Sequence, residues 1–405
     1  MLPTATRTVK FAAAIAAALA SLALAGPALA TPASGHHPAG DPSSFRAKVV
    51  INGAKLSHTY VSDGKRKTEH LTSPDDITVL GHHIFTAFQN GVGPQGQPAT
   101  DGNDDSTVVE FTANGHVVHQ WDLHGKCDGI TADTQRGILI ATIDEDANSS
   151  VYTIAPGAPK GAQVLHYHYN RSPLPHNGGT DAISIYHGLI LVSASAPGTV
   201  TGSKPAPQAT YPAVYVVTFN PAKLLAVVRP LFYDEAAARV ANVGKGEGTV
   251  VHLALTDPDS NEIVPASGPR FAGDFMLTSQ GDKEQIFVQR KGRLGSHLAV
   301  LKLSQSVDDT AWARSPHGKL YVANTGGGTI DVISGKFRPG TVLVAVTPCD
   351  ADNAPATCPA PGFPPNYLGQ LNPFTGKITK VAVSGPSFGP QGMVFIGPDW
   401  NVVPG

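Results

Sequence analysis

Six short segments of this chain share one pattern, in which an Asp or Gln stands just ahead of an apolar run. They are Pro74-Asp75-Asp76-Ile77, Cys127-Asp128-Gly129-Ile130, Thr180-Asp181-Ala182-Ile183, Gly273-Asp274-Phe275-Met276, Asp308-Asp309-Thr310-Ala311 and Pro390-Gln391-Gly392-Met393. The first three are evenly spaced, 53 residues apart. A fixed period of this length marks repeated supersecondary units that bury their apolar faces only against each other. Between the segments lie further short runs, among them 84–88, 107–111, 117–121, 138–143 and 151–154, each bounded by Gly, Asn, Asp or Pro. Such runs read as strands. With 43 Gly and 34 Pro in 405 residues, turns outweigh long helices. The one helix expected is 234–243.

A radial array of four-stranded sheets fits these runs, so the expectation is an all-β, six-bladed β-propeller. Seven blades is the alternative, with 249–256 and 262–264 in a weakly marked extra blade. The Asp-bearing segment is then the innermost strand of each blade. The last segment, 391–396, has no strands after it. N-terminal strands over 47–51, 56–61 and 67–71 are expected to finish its blade, which would close the ring and leave no free edge.

The first 30 residues read as a signal peptide. Arg7 and Lys10 precede an apolar run, 11–25, and Ala28-Leu29-Ala30 offers a small-x-small cleavage site. The expected organisation is 1–30 signal peptide, 31–45 flexible linker and 46–400 propeller, secreted after cleavage near Ala30. No later run reaches the ~18 apolar residues of a membrane span, so none is expected in the mature protein. A net charge of −2 gives no electrostatic pull toward nucleic acid. A monomer is expected. Cys349 and Cys358 flank a short loop and are candidates for a disulfide after export, whereas Cys127 reads as a small buried hydrophobe.

Strand direction places the Asp residues at one mouth of the central channel, together with the longest loops, 90–106, 196–211 and 335–366. Carboxylates converging there repel one another, and a bound cation or raised pKa values would relieve that. Asp75, Asp128, Asp181, Asp274 and Asp309 are therefore candidate metal ligands. Asp101-x-Asn103-x-Asp105, Asp144-x-Asp146-x-Asn148 and Asp257-x-Asp259-x-Asn261 add an alternation of oxygen donors suited to a hard cation, calcium above all. Asx-turns at hairpin ends are the competing reading of these loops. His176, leading into Asp181, is the candidate general acid or base beside Asp128. His166 and His168 alternate along one strand face.

The segment Cys127-Asp128-Gly129-Ile130, followed by Arg136-Gly137-Ile138-Leu139-Ile140, resembles the repeat of SMP-30/gluconolactonase-type and NHL-type propellers. His317-Gly318-Lys319-Leu320-Tyr321-Val322-Ala323-Asn324 resembles its second half. The stretch 106–123, with Asn114-Gly115 as its hairpin turn, is similar to the outer strands of virginiamycin B lyase-like propellers. The resemblance implies a divalent-metal ligand at Asp128, with Asp75 or Asp181 nearby. It also implies a hydrolase or lyase acting on a small ester, lactone or sugar-derived substrate. The rival expectation is a non-catalytic extracellular propeller that grips a glycan and holds structural calcium. Asp144-Glu145-Asp146 resembles the acidic second strand of β-propeller phytases, although that family's Asp-Ala-x-Asp-Asp-Pro motif is absent. No nucleophile elbow, P-loop or His-Glu-x-x-His zinc motif occurs.

Overall fold

The computed structural model describes residues 45–195, 210–348, 366–386 and 388–401. The segment expected to be a signal peptide, most of the expected linker, most of the 196–211 loop and Cys349 and Cys358 lie outside the described residues.

The first blade is β4 (Pro74–Leu80), β5 (His83–Phe88), β6 (Asp105–Phe111) and β7 (Val117–His124), paired in that order. The second is β8 (Cys127–Asp133), β9 (Ile138–Ile143), β10 (Ser150–Ile154) and β11 (Val164–Tyr169). The third is β12 (Ile183–Tyr186), β13 (Leu189–Ser193), β14 (Pro212–Asn220) and β15 (Leu225–Tyr233), joined to the second where β11 runs parallel to β15. In the fourth, β18 (Pro258–Ile263), β19 (Phe275–Ser279), β20 (Glu284–Val288) and β21 (Leu298–Lys302) carry an outer hairpin, β16 (Ala237–Val240) and β17 (Val250–His252). The fifth is β22 (Val307–Trp312), β25 (Val342–Val346), β26 (Tyr367–Leu371) and β27 (Ile378–Lys380).

The last blade is assembled from three distant pieces of chain. Its order is β28 (Pro390–Ile396), β23 (Lys319–Asn324), β24 (Thr329–Ser334) and β1 (Arg46–Asn52). The N-terminal strand β1 thus closes the ring on its outer edge, as expected. The inner strands β4, β8, β12, β18, β22 and β28 each pack on the next, and β28 packs on β4.

The core is correspondingly divided into six wedges, one between each pair of neighbouring blades. Phe85, Val108, Leu139 and Ile143 fill the wedge between the first two blades, and Ile51, Phe111, Tyr321 and Ile330 the wedge between the last and the first. Second strands such as His83–Phe88 are buried almost throughout because both their faces meet another blade, so they read as continuous apolar runs. Outer strands such as β7 alternate between buried and exposed positions.

Residues 319–334 leave the blade of β22 for its neighbour, and β22 pairs with β25. Two expectations are corrected. The strands expected over 56–61 and 67–71 form a separate hairpin, β2 (Ser57–Ser62) with β3 (Lys65–His70), and do not extend the closing blade. The expected helix over 234–243 does not form; within it Ala237–Val240 make the strand β16, which pairs with β17 and runs parallel to β21. No helix among the described residues is long and apolar enough to cross a membrane.

Candidate active site: the acidic channel

The inner strands share a defect that shapes the channel. In β4, β8, β18, β22 and β28 the register with the second strand shifts within the first four residues. A bulge of this kind bends the strand and re-aims a side chain. The residue after the strand's first position then faces the axis. Those residues are Asp75, Asp128, Asp259, Asp308 and Gln391, and Asp181 holds the same place just ahead of β12.

The following residue serves the joint between blades. Asp76 accepts from its own neighbour Ile77 N (2.6 Å) and from Ile130 N of the next blade (2.8 Å). Asp309 does the same with Thr310 N (2.6 Å) and Met393 N (2.5 Å). Ser260 donates across the next joint to the Asp308 carbonyl. Glycine occupies this position where the next strand comes too close: a Cβ on Gly129 would lie 2.6 Å from the Asp181 carbonyl, and one on Gly392 2.4 Å from that of Asp75. Five Asp and one Gln therefore ring the channel, while two neighbouring Asp staple the blades together.

The channel forms a cavity of roughly 840 Å³, lined by eleven carboxylates and only two basic side chains, Lys126 and Arg314. At its mouth Lys126 Nζ lies 2.8 Å from Asp128 Oδ1 and also pairs with Glu145. Gln89 Nε2 donates to the same Asp128 oxygen at 2.8 Å. The other oxygen, Oδ2, is buried without a hydrogen-bond partner. Two more cavity-lining oxygens share that condition, Asn261 Oδ1 and Gln391 Oε1.

Burial and mutual repulsion set the electrostatics. Burial, with the nearby charges of Asp128 and Asp308, holds Asp75 well above the usual carboxylate range. Burial and Glu145 do the same for Asp128, opposed by Lys126. Asp181 is raised to about 6 by burial and Glu145, and shares a hydrogen bond with Asp259, itself raised by burial and by Asp181. Asp76 rises to about 7 through burial. Glu262, deeper in the channel, rises to about 8 through burial and Asp76, against the pull of Arg314. For Lys126 burial acts to lower the pKa, but Asp128, Glu145 and Asp75 outweigh it and the ammonium is held well above its usual value.

Of the residues singled out in the sequence, Asp75, Asp128 and Asp181 meet at the ring. Asp309 lines the cavity, but both its oxygens are engaged by backbone N–H groups. Asp274 is not among the lining residues; it precedes β19, a second strand, and sits by Arg290. The inner strand of that blade is β18, whose Asp259 and Asn261 belong to the third alternating motif. Asp101, Asn103 and Asp105 behave as successive Asx-turns: Asn103 N donates to Asp101 Oδ1 and Asp105 N to Asn103 Oδ1. In the second motif only Asp146 lines the channel. Asp144 accepts from Lys126 N, and Asn148 donates to the Gln95 carbonyl. A separate cluster, Asp104, Asp105 and His124, brings three ligand atoms within 4.8 Å of one another outside the channel.

His176 does not reach the channel. It is fully buried, with Nδ1 2.6 Å from the Tyr215 hydroxyl and Nε2 2.8 Å from the Gly179 carbonyl, and burial lowers its pKa to about 4. His166 packs flat on Tyr152 at 4.0 Å. Cys127 is buried, with its thiol pushed up by burial.

No protein-family model matches the chain, and no curated protein matches it. Solved structures do. Hydrazine synthase of Kuenenia stuttgartiensis aligns at 14% identity over 77% of this chain, with a TM-score of 0.37, and this chain spans 66% of that one. A streptogramin B lyase aligns at 9% identity over 73% of this chain and 99% of its own, TM-score 0.31. The periplasmic gluconolactonase PpgL of Pseudomonas aeruginosa aligns at 14% identity over 87% of this chain and 99% of its own, TM-score 0.42.

Proposed function

We propose that this protein is a secreted propeller that holds a hard divalent cation at the channel mouth, calcium by ligand chemistry. There it hydrolyses or eliminates from a small ester, lactone or sugar-derived substrate. The observation that carries the proposal is Asp128 Oδ2, a buried carboxylate oxygen without a partner on a side chain whose other oxygen is held by Gln89 and Lys126. Buried polar atoms are ordinarily paired, and a ligand in the cavity would complete this one. The donors around it are carboxylate and amide oxygens, and no His or Cys lines the cavity among the described residues, which suits a hard ion.

A bound ion would supply Lewis-acid polarisation of a substrate oxygen. The chain supplies the remainder. Asp181, raised to about 6, is poised to give or take a proton near neutrality, the role first sought in His176. Gln89 fixes the orientation of Asp128. Ile77 and Ile130, buried behind the ring, give part of the cavity an apolar wall.

The test is a thermal melt in EDTA, then with Ca²⁺, Mg²⁺, Mn²⁺ or Zn²⁺ restored. A ligand at 100 times its Kd that binds only the folded state adds ~2.7 kcal/mol. A shift with one ion, lost in Asp128→Asn, supports the proposal and directs a lactone, ester and uronate screen with that ion present. No shift with any ion removes it. A second reading is a non-catalytic glycan-binding propeller with structural calcium, for which Asp104 and Asp105 outside the channel offer carboxylate oxygens. It predicts a shift that survives Asp128→Asn and disappears in Asp104→Asn.

A further inference from the structure

Building on the reading of the channel mouth as a cation site, we propose that Lys126 is its resident counter-cation. The ammonium occupies part of the site, and a divalent ion binds as Lys126 leaves. Lysine side chains are almost never buried unless paired. This one is 15% exposed and reaches into a cavity of eleven carboxylates. Its backbone is pinned from both directions by one residue: Lys126 N donates to Asp144 Oδ1 at 2.8 Å, and Asp144 N donates to the Lys126 carbonyl at 2.8 Å. With the main chain fixed at the entrance of β8, the flexible stem carries the ammonium to Asp128 and Glu145.

The oxygen it holds, Asp128 Oδ1, belongs to the carboxylate whose Oδ2 is left without a partner. An ion taken up by Asp128 would therefore meet the ammonium at contact range. Arg314, the other base of the channel, follows the far end of β22, so Lys126 stands as the neutralising charge of the mouth. A tethered ammonium is a monovalent stand-in that a divalent ion outcompetes only above some concentration. Lys126 thus sets the threshold at which the site fills, and its stem is long enough to swing out without moving β8.

The experiment compares the mature full-length protein with Lys126→Met and Lys126→Arg, by calcium titration calorimetry and by melts in EDTA and in Ca²⁺. Lys126→Met is expected to bind Ca²⁺ about tenfold tighter or more, with a larger melting shift, because a like charge beside the ion is gone. Lys126→Arg should stay near wild type. Equal or weaker binding by Lys126→Met overturns the proposal and leaves the cation reading intact. A response in Lys126→Met with none in wild type upholds the proposal and overturns the reading of the wild-type mouth as ion-loaded. No response in either overturns both. Should Lys126→Met not fold, wild-type protein labelled with an amine-reactive reagent decides: Lys126 modification should rise on adding Ca²⁺, and unchanged labelling overturns the proposal.

Discussion

At the scale of single residues, the inner-strand motif divides its labour between adjacent positions. One residue faces the axis and the next faces the neighbouring blade, so two similar side chains in a row have different fates. Asp308 faces the ring, whereas Asp309 is bound to backbone on both oxygens. The two Asp of this pair look alike in sequence, which is why Asp309 rather than Asp308 stood out as a ligand. The glycines of the motif report the same closeness. Gly129→Ala would push a methyl group to 2.6 Å from the Asp181 carbonyl, 2.7 Å from Thr142 Oγ1 and 2.8 Å from Ala182 Cα. Two of these are backbone atoms with no room to retreat, and overpacking of this kind costs about 1–3 kcal/mol. Gly157→Ala meets nothing within 4 Å and should stay within about 0.5 kcal/mol of wild type. Equal denaturant midpoints for the two variants would show that the inner strands are not in close contact at Gly129.

At the scale of strands and blades, what the sequence revealed was periodicity, and what it hid was partnership. The even spacing of Asp75, Asp128 and Asp181 exposed the first three blades and the acidic mouth. The fourth blade broke the pattern, because β18 follows its Asp with Ser260, Asn261 and Glu262, polar residues that line the channel. The apolar run after Asp274 imitated the motif more closely while belonging to a second strand. Likewise Asp234-Glu235-Ala236-Ala237-Ala238 has helix-forming composition, yet it turns at Asp234 and Glu235 and the outer edge of the fourth blade recruits the chain from Ala237 as a strand; tertiary context overrides propensity. The crossing of β23 and β24 into the last blade leaves no local trace, since a hairpin reads the same whichever blade receives it. Ring closure there rests on side chains as well as on pairing. Phe45, 1% exposed, packs against Phe337 at 5.0 Å, and Phe337 against Phe395 at 5.1 Å, tying the first strand to the middle hairpin and the last strand. Phe45→Ala should cost about 3–5 kcal/mol and speed amide exchange in β1 and β24 ahead of the other blades. Uniform exchange across all six blades would mean that closure does not depend on this contact. Asp309→Ala should cost about 1–3 kcal/mol, since it leaves the Thr310 and Met393 N–H groups without their acceptor, and Asp309→Asn should restore part of that loss.

At the scale of the whole molecule, the channel gathers more negative charge than the protein's net charge of −2 suggests, and its stability should carry a signature of that. An acid whose pKa is higher in the fold than in the unfolded chain keeps its proton longer in the fold. Stability then falls as pH climbs from the unfolded value to the folded one. Asp181 at about 6, Asp76 at about 7 and Glu262 at about 8 all behave this way. The half-buried imidazole of His166 and the buried one of His176, both lowered by burial to about 4 from 6.5, act in the opposite sense, and the stability they lend grows until pH 6.5. His58, raised between Asp122 and Glu69 despite its burial, loses its contribution as pH rises past its folded value and so sides with the acids. Below about pH 6.5 the two groups offset each other, and between about 6.5 and 8 only the downward trend remains. In EDTA the melting temperature should therefore fall across that upper window, by ~2 °C for each kcal/mol lost. With saturating Ca²⁺ the fall should flatten in part, because the ring carboxyls Asp75 and Asp128, also held well above the usual range, would have given up their protons to the ion. A flat profile in EDTA would mean that these carboxyls ionise as freely in the fold as in the unfolded chain. An unchanged slope with Ca²⁺ would place any bound ion away from the ring.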